Sequence, residues 1–384
     1  SCGAGKLGPD ELADRLDKLA SSIDGDADRV SATVDAWMPA AFQDDVLALF
    51  ADVLRRPTFD EKRLEKVRTD FAAEAGSDED DAGKLALRRV RARVFGDHPL
   101  ARWRTGDSVK GLERDDIVAC AKAALVPGRV VLAISGAFDR DDMQRRLERL
   151  FGDWKGEGRG WTGALPEIAA GATKPGFVVI DRGVSQATVQ VARRGVVAAD
   201  PEMPALLAAD HIIGSGSFTS RIVVRVRADE GLAYSVGSEL EDPPIGPGLV
   251  KIDFGSRSVD VSFALSLVWE ESRRFVRDGP TDEELAAAKS AIVSRFPGRF
   301  ATPHATANEL AEADIAGLPD DGFATFRARV EALDKDAVRK AAARLFDPSS
   351  FTVVIVGPAN VVRANRERGT NLDELGKVEI EKEE

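Results

Sequence analysis

One tyrosine, two cysteines and three histidines serve a chain of 384 residues, and each shortage closes off a class of chemistry. Cys2 and Cys120 cannot build a disulfide framework, and neither stands at a metal-ligand spacing from a histidine. His98, His211 and His304 are isolated from one another, so each reads as structural. Long apolar runs are lacking too. Nothing approaches the length a membrane-spanning helix needs, and the opening "SCGAGKLG" has neither the basic start nor the apolar centre of a signal peptide. The chain reads as soluble, with its redox compartment open. It does not begin with Met, which fits a processed or trimmed product. Basic residues are outnumbered, 53 Lys and Arg against 65 Asp and Glu; the formal charge of −12 argues against nucleic acid as a partner and slightly favours cationic ones.

What the sequence does contain is a repeat. "VKGLERDDIVACAKAALVPGRVVLAISG" and "VEALDKDAVRKAAARLFDPSSFTVVIVG" share Val109 with Val330, Leu112 with Leu333, Asp115 with Asp336, Pro127 with Pro348 and Gly136 with Gly357, each pair 221 residues apart. Each copy reads as an Asp-capped amphipathic helix, a Pro-containing turn and a strand of continuous apolar residues closed by Gly. "TFDEKRLEKV" and "PTDEELAAAK" open helices at nearly the same offset. Between the copies, "KGEGRGWTGALPEIAAGATKPGF" is rich in Gly and Pro and has no apolar periodicity, a linker composition. The expected organisation is an N-terminal domain over 1–155, a linker over 156–176 and a C-terminal domain over 177–384. Mixed helices and strands make the class α+β. The second copy has two strands, "GFVVIDR" and "QATVQVARRGV", and the helix "MPALLAADHIIG" ahead of its remaining elements; the N-terminal domain is expected to lack those first strands and that helix.

Few motifs carry chemistry. "GAGK" is not a phosphate loop, because Lys6 precedes Leu7 and no earlier Gly stands in reach. Glu74 extends the helical stripe of Leu64, Val67 and Phe71, which predicts an inward carboxylate needing a metal, an Arg or a backbone amide as partner; a fraying helix end before "GSDEDDAG" is the other reading. In "RVRADEGLAYSVGSEL", Arg227 falls in the last turn of a helix closed by Gly231, and Tyr234, the single tyrosine, near the start of the next strand. A tight reversal there brings a guanidinium and a phenol together, two donors for a peptide carbonyl or its developing oxyanion. Equally, Tyr234 reads as a half-buried strand aromatic and Arg227 as a charge complementing a helix C-terminus.

Taken together, "GKLGPDELADRLDKLASSI", "PTFDEKRLEKVRTDFAAEA", "FGDHPLARWRTGDSVKGLERDDIV", "VVLAISGAFDRDDMQRRLERLFGDW" and "GSGSFTSRIVVRVRADEGLAYSV" resemble, in order, the pitrilysin/insulinase-type zinc metallopeptidases, in their mitochondrial-processing-peptidase-like branch. The resemblance implies two similar α/β-roll domains forming a clamshell. It implies a first-domain zinc motif H-x-x-E-H with a Glu roughly seventy-five residues downstream as third ligand. Glu74 matches that Glu, but the second His would fall just before Ser1, so the motif lies outside this chain or was never present. Ser1, Ala4 and Val67 stand where active members carry an aromatic, a Thr and a supporting acid. In the second domain the family's substrate-contacting Arg and Tyr, seven apart, match Arg227 and Tyr234.

The resemblance therefore implies a subunit without zinc of its own, whose Arg227 and Tyr234 complete the active site of a zinc-bearing sister subunit on an extended peptide substrate. No cofactor is expected in this chain; zinc belongs to the partner or to a missing N-terminal segment. Neither nucleic acid nor a membrane span enters, and the bacterial periplasm or cytoplasm is the expected location. A complete zinc endopeptidase cut short of its metal helix and a non-catalytic scaffold or peptide-binding protein of the same fold are the alternatives. The domain division has its own test. Brief proteolysis should nick first between Lys155 and Gly176 and leave two halves, whereas early cuts inside either repeat would contradict it.

Overall fold

Apolar residues at helical spacing and runs of β-branched residues partition the chain into helices and strands. The computed structural model describes residues 3–155, 165–364 and 371–382, so 156–164 of the expected linker lies outside the described residues. In chain order the elements of the first half are α1 (Pro9–Lys18), β1 (Ser22–Ala27), β2 (Ala32–Trp37), α2 (Gln43–Arg55), α3 (Glu61–Asp80), α4 (Ala82–Phe95), α5 (Gly106–Lys110), α6 (Arg114–Ala124) and α7 (Arg140–Phe151). Then follow β3 (Gly176–Asp181), β4 (Gln186–Arg194), α8 (Met203–Asp210), β5 (Ala233–Leu240), β6 (Leu249–Arg257), α9 (Val261–Asp278), α10 (Asp282–Arg295), α11 (Pro303–Ala316), α12 (Gly322–Glu331), α13 (Lys335–Leu345), β7 (Thr352–Gly357), α14 (Ala359–Ala364), α15 (Leu372–Leu375) and β8 (Val378–Lys382). The α+β class is as expected.

The repeat is written into the element boundaries. α3 and α10 open at Glu61 and Asp282, α4 and α11 at Ala82 and Pro303, and α6 and α13 at Arg114 and Lys335, each pair 221 residues apart. The capping differs in detail: Asp334 caps α13 by accepting the Ala337 N–H at 2.8 Å, while at α6 the Glu113 N–H donates to Asp116. One expectation fails. Residues 352–357 form the fully buried strand β7, but their copy, 131–136, forms no strand. The reason is pairing: β7 has β4 on one edge and β3 on the other, whereas 131–136 has neither counterpart among the described residues. Apolar side chains alone do not make a strand without partners for its peptide groups.

The chain forms two compact units that do not follow the order of the sequence. The first comprises Ser1–Ser77, Arg104–Leu165 and Arg299–Ile315, and the second Asp78–Trp103, Pro166–Gly298 and Ala316–Glu384. The equivalent helices α4 and α11 thus belong to the units opposite to their own repeats.

In the first unit β1 and β2 form an antiparallel pair, and Leu12 and Leu16 of α1 join Ile23 and Val46, Phe50 and Leu54 of α2 in a small core. Arg146 of α7 donates to Asp44 at 2.6 Å, which ties α7 to α2. In the second unit six strands run in the order β5-β6-β4-β7-β3-β8. β5, β6, β4 and β7 are successively antiparallel; β7, β3 and β8 are parallel. Val189 and Val191 of β4 and Ile252 and Phe254 of β6 share one core with Leu206 of α8, Leu265 and Phe275 of α9 and Leu345 of α13.

α4 lies against β4 and β7, burying Val90, Val94 and Phe95. Its Arg91, also buried, donates to both carboxylate oxygens of Glu241, at 2.8 and 2.9 Å. Glu241 also accepts the Leu249 N–H at 3.0 Å and lies 3.0 Å from the Lys251 ammonium. Burial by itself would raise this carboxyl, but Arg91 and Lys251 outweigh it and hold Glu241 below the usual glutamate range. Glu241→Ala should therefore cost about 3 to 5 kcal/mol, because Arg91 is left buried without its counter-charge. With the folded value depressed, that stability is fully present above the ordinary glutamate range and lost as pH falls from there through the lower folded value. Urea denaturation of both proteins between pH 7 and pH 3 checks this; parallel pH profiles would contradict it.

Candidate functional site

Arg227 and Tyr234 are positioned by a wide helical segment and the reversal after it. Val223–Asp229 winds as a π-helix, a form that recurs where a helix is adapted to a site. Gly231 follows at φ +63°, where a side chain would be strained, and the Leu232 N–H closes back on the Val226 carbonyl at 2.9 Å. β5 starts at once, so Tyr234 folds over Arg227. The guanidinium carbon sits 5.3 Å from the Tyr234 ring centre and 4.7 Å from that of Phe218. Both rings are open to solvent, Tyr234 at 87% and Phe218 at 69% exposure.

Phe218 is held out by its own turn. Ser217 takes φ +60°, and the Ser220 hydroxyl donates to the Ser217 and Gly214 carbonyls at 2.7 and 3.1 Å. Gly214 has no room for a side chain, since a Cβ there would lie 2.5 Å from the Ser238 nitrogen. Beneath this turn, the buried Asp210 carboxylate accepts the Ser238 hydroxyl at 2.6 Å, and burial pushes its pKa up. Phe218 and Asp210 are absent from the sequence-derived site. A phenylalanine alone among the small polar residues of "GSGSFTS" was the available signal; Asp210 looked like part of an apolar helix.

Three arginines share this stretch and are used differently. Arg221 donates to Glu284 and to the Gly279 carbonyl, and Arg225 donates to Glu230 at 2.7 Å. Arg227 has neither a hydrogen bond nor an ion pair among the described residues; its guanidinium lies over the two ring faces. Stacking leaves its N–H donors in the guanidinium plane free for a carbonyl or carboxylate. The expected meeting of Arg227 and Tyr234 is thus present as a ring-face contact, and Tyr234 is more exposed than a half-buried strand aromatic.

Glu74 does not face inward. The buried line of α3 runs through Ala72, Ala75 and Asp78, one step round the helix from Phe71 and Glu74. Glu74 is half-exposed and accepts from Arg104 at 2.6 Å, while the same guanidinium lies over the Phe71 ring at 5.2 Å. Of its possible partners, an arginine is the one present. Among the described residues no group of three His, Cys, Asp or Glu could hold a metal ion. His98 is structural, its Nδ1 accepting the Leu100 N–H and its Nε2 donating to the Pro166 carbonyl at 2.8 Å. A polar cleft of about 880 Å³ in the first unit, lined by Lys6, Asp60, Arg68, Glu113 and Arg114 among others, contains none of the residues singled out from the sequence as site residues. No helix among the described residues is long and apolar enough to cross a membrane.

The architecture places the chain among mixed helix-and-sheet proteins built by duplication. Residues 111–292, which include Arg227 and Tyr234, match the family model described as "Peptidase M16 inactive domain". The chain is 23% identical over 325 residues to a "Non-peptidase homolog YmxG" of Helicobacter pylori, covering 83% of this chain and 73% of that one. It is 20% identical over 361 residues to a "Probable mitochondrial-processing peptidase subunit beta" of Arabidopsis thaliana, covering 90% and 67%. Its fold matches the crystal structure of a peptidase M16 inactive domain from Pseudomonas fluorescens with a TM-score of 0.85 at 22% identity, covering 93% of this chain and 86% of that one. Residues 111–292 are thus similar to the inactive domain of the M16 peptidases and the whole chain to members of that family, so the resemblance read from the sequence is borne out.

The contrast among the arginines is measurable. Arg227→Ala should lower the unfolding free energy by no more than about 1 kcal/mol, the scale of an exposed cation–π contact. Arg221→Ala, which strands the half-buried Glu284, should cost about 3 kcal/mol. Equal losses in denaturant titrations would make Arg227 a packing residue like its neighbour.

Proposed function

We propose that this chain is the non-zinc subunit of a heteromeric metallopeptidase, binding an extended peptide and contributing Arg227 and Tyr234 to an active site completed by a zinc-bearing sister. The carrying observation is the unpaired Arg227 guanidinium, held between two exposed rings in a segment where the neighbouring arginines are all tied down. The relationship to a processing-peptidase beta subunit, a protein named as one subunit of an assembly, supports a partnered reading.

The sister's zinc site supplies the activated water. This chain's part is to hold and polarise the substrate. Arg227 donates N–H groups to the peptide carbonyl beside the scissile bond, and the Tyr234 hydroxyl donates to the oxygen on which charge develops. Fixing the guanidinium between two rings limits the rotamer freedom lost on binding. Glu74, paired with Arg104, takes no part.

The scaffold reading keeps one specific support, the description of the Helicobacter pylori relative as a non-peptidase homologue. Mixing the chain with an H-x-x-E-H-bearing sister from the same source separates the two. A joint peptidase should form that neither protein shows alone, and Arg227→Ala should lower its kcat by about 10²- to 10³-fold. Tyr234→Phe should lower kcat with the melting temperature unchanged. Cleavage by the isolated chain would overturn the subunit reading, and an inert mixture that still binds extended peptides would establish the scaffold.

A further inference from the structure

A carboxylate buried without a cation is costly, and α8 ends on one. Asp210 is buried, and among the described residues no ion pair reaches it from β5, α9, α10, α12 or α13, the elements packed around it and the turn that follows. From β5, Glu239 adds repulsion, while burial and Arg295 of α10 hold the adjacent His211 imidazole towards its neutral form. What surrounds Asp210 instead is a set of donors. The Ser238 hydroxyl donates to the carboxylate at 2.6 Å, and the Ser215 hydroxyl and the Leu240 N–H donate to it as well. An ionised carboxylate only accepts, so it satisfies all three; a protonated one carries a hydrogen that itself needs an acceptor.

These donors come from both sides of the Arg227 site. Ser238 and Leu240 belong to β5, which carries Tyr234 near its start. There the pairing with β6 slips: Ala233 stands opposite Ser256 and Val236 opposite Phe254, so Tyr234 and Ser235 share Gly255 as a β-bulge. A bulge of this kind re-aims a side chain. Ser215 closes the wide turn His211–Ser215, whose Gly214 carbonyl accepts the Ser220 hydroxyl that shapes the Phe218 turn. β5 and this turn are in direct contact, since a Cβ on Gly214 would also lie 2.5 Å from the Ser238 Oγ. In so close a packing a shift of Ser238 is felt at the Gly214 backbone.

We propose that Asp210 is a positioning residue for this site: ionised, it draws β5 and the turn after α8 together and so holds Tyr234 and Phe218 about Arg227, and a proton on it loosens that arrangement. The proposal rests on Arg227 and Tyr234 being the working pair. Buried beneath the turn, the carboxylate reaches them only through the groups that donate to it. Its protonated form has one acceptor at hand, the Ser238 oxygen, which becomes available when the Ser238 hydroxyl turns to the Asp210 main-chain carbonyl, 3.2 Å away. The bond to the ionised carboxylate is roughly twice as strong as the neutral bond that replaces it, so the grip on β5 weakens. Burial, the largest influence, penalises the anion and outweighs the donors that favour it, so Asp210 takes up its proton above the ordinary aspartate range.

Tyr234 is the single tyrosine, so ring-labelled tyrosine gives the full chain one reporter at the site. Its ring carbon resonance, followed by NMR between pH 8 and pH 4 with circular dichroism as the check on folding, should shift with a midpoint above about 3.9, the ordinary aspartate value. In Asp210→Asn the pH response should be lost and the resonance should stay at the low-pH position of the unmodified chain. Ser238→Ala removes a donor that favours the anion and should move the midpoint higher; it decides the matter where Asp210→Asn does not fold. A resonance indifferent to pH in this range, a response retained in Asp210→Asn, or a midpoint unmoved by Ser238→Ala would each overturn the proposal. The measurements need no sister subunit, so an inert mixture with the sister would count against the subunit reading and leave the link between Asp210 and Tyr234 intact.

Discussion

The second unit depends on one buried ion pair. Arg91 comes from the first sequence repeat and Glu241 from the end of β5, and their bidentate contact fixes α4 across the sheet made by the second repeat. A guanidinium this far from water is tolerable only with its carboxylate in place, so α4 is held to one position on the strands. Lys251 and the Leu249 N–H occupy the remaining capacity of Glu241, which joins β6 to the same centre. Around it, Arg89 and Arg93 on α4 reach Glu381 and Glu379 of β8, adding partly exposed pairs at the far edge of the sheet.

With the sheet fixed, the segment before β5 can carry strain and exposure that the core could not. The π-helical turns at His211–Ser215 and Val223–Asp229, the left-handed Ser217 and the buried Asp210 all lie within about twenty residues of Arg227 in sequence, where departures from regular helix gather near sites. Their combined effect is to present Phe218, Arg227 and Tyr234 together. The differing fates of Arg221, Arg225 and Arg227 follow from position: two meet carboxylates, and among the described residues the third meets ring faces and no carboxylate.

Much of this was legible from residues alone. The repeat needed only matching Val, Leu, Asp, Pro and Gly positions, and the helices open at that spacing because capping and helical periodicity are local properties. The proximity of Arg227 and Tyr234 followed from Gly231, whose left-handed conformation ends a helix and turns the chain. Of the two readings open for Glu74, the inward one fails because Leu64, Val67 and Phe71 allow more than one stripe, and only packing selects the line through Ala72 and Ala75. Phe218 was missed because exposure of an aromatic is not a sequence property.

By itself the sequence determined the duplication, the α+β class, the family and the pairing of an arginine with the single tyrosine, since each rests on interactions between residues close in the chain or on repeated patterns. Tertiary structure decided whether an apolar run becomes a strand: "TVVIVG" does, between β4 and β3, and "VLAISG" does not. It also decided that α4 and α11 serve opposite units, and that Arg227, unlike Arg221 and Arg225, meets no carboxylate among the described residues. The physical reason is common to these: a strand, a docked helix and a free charge are each defined by partners distant in sequence, and no local propensity encodes which partners are within reach.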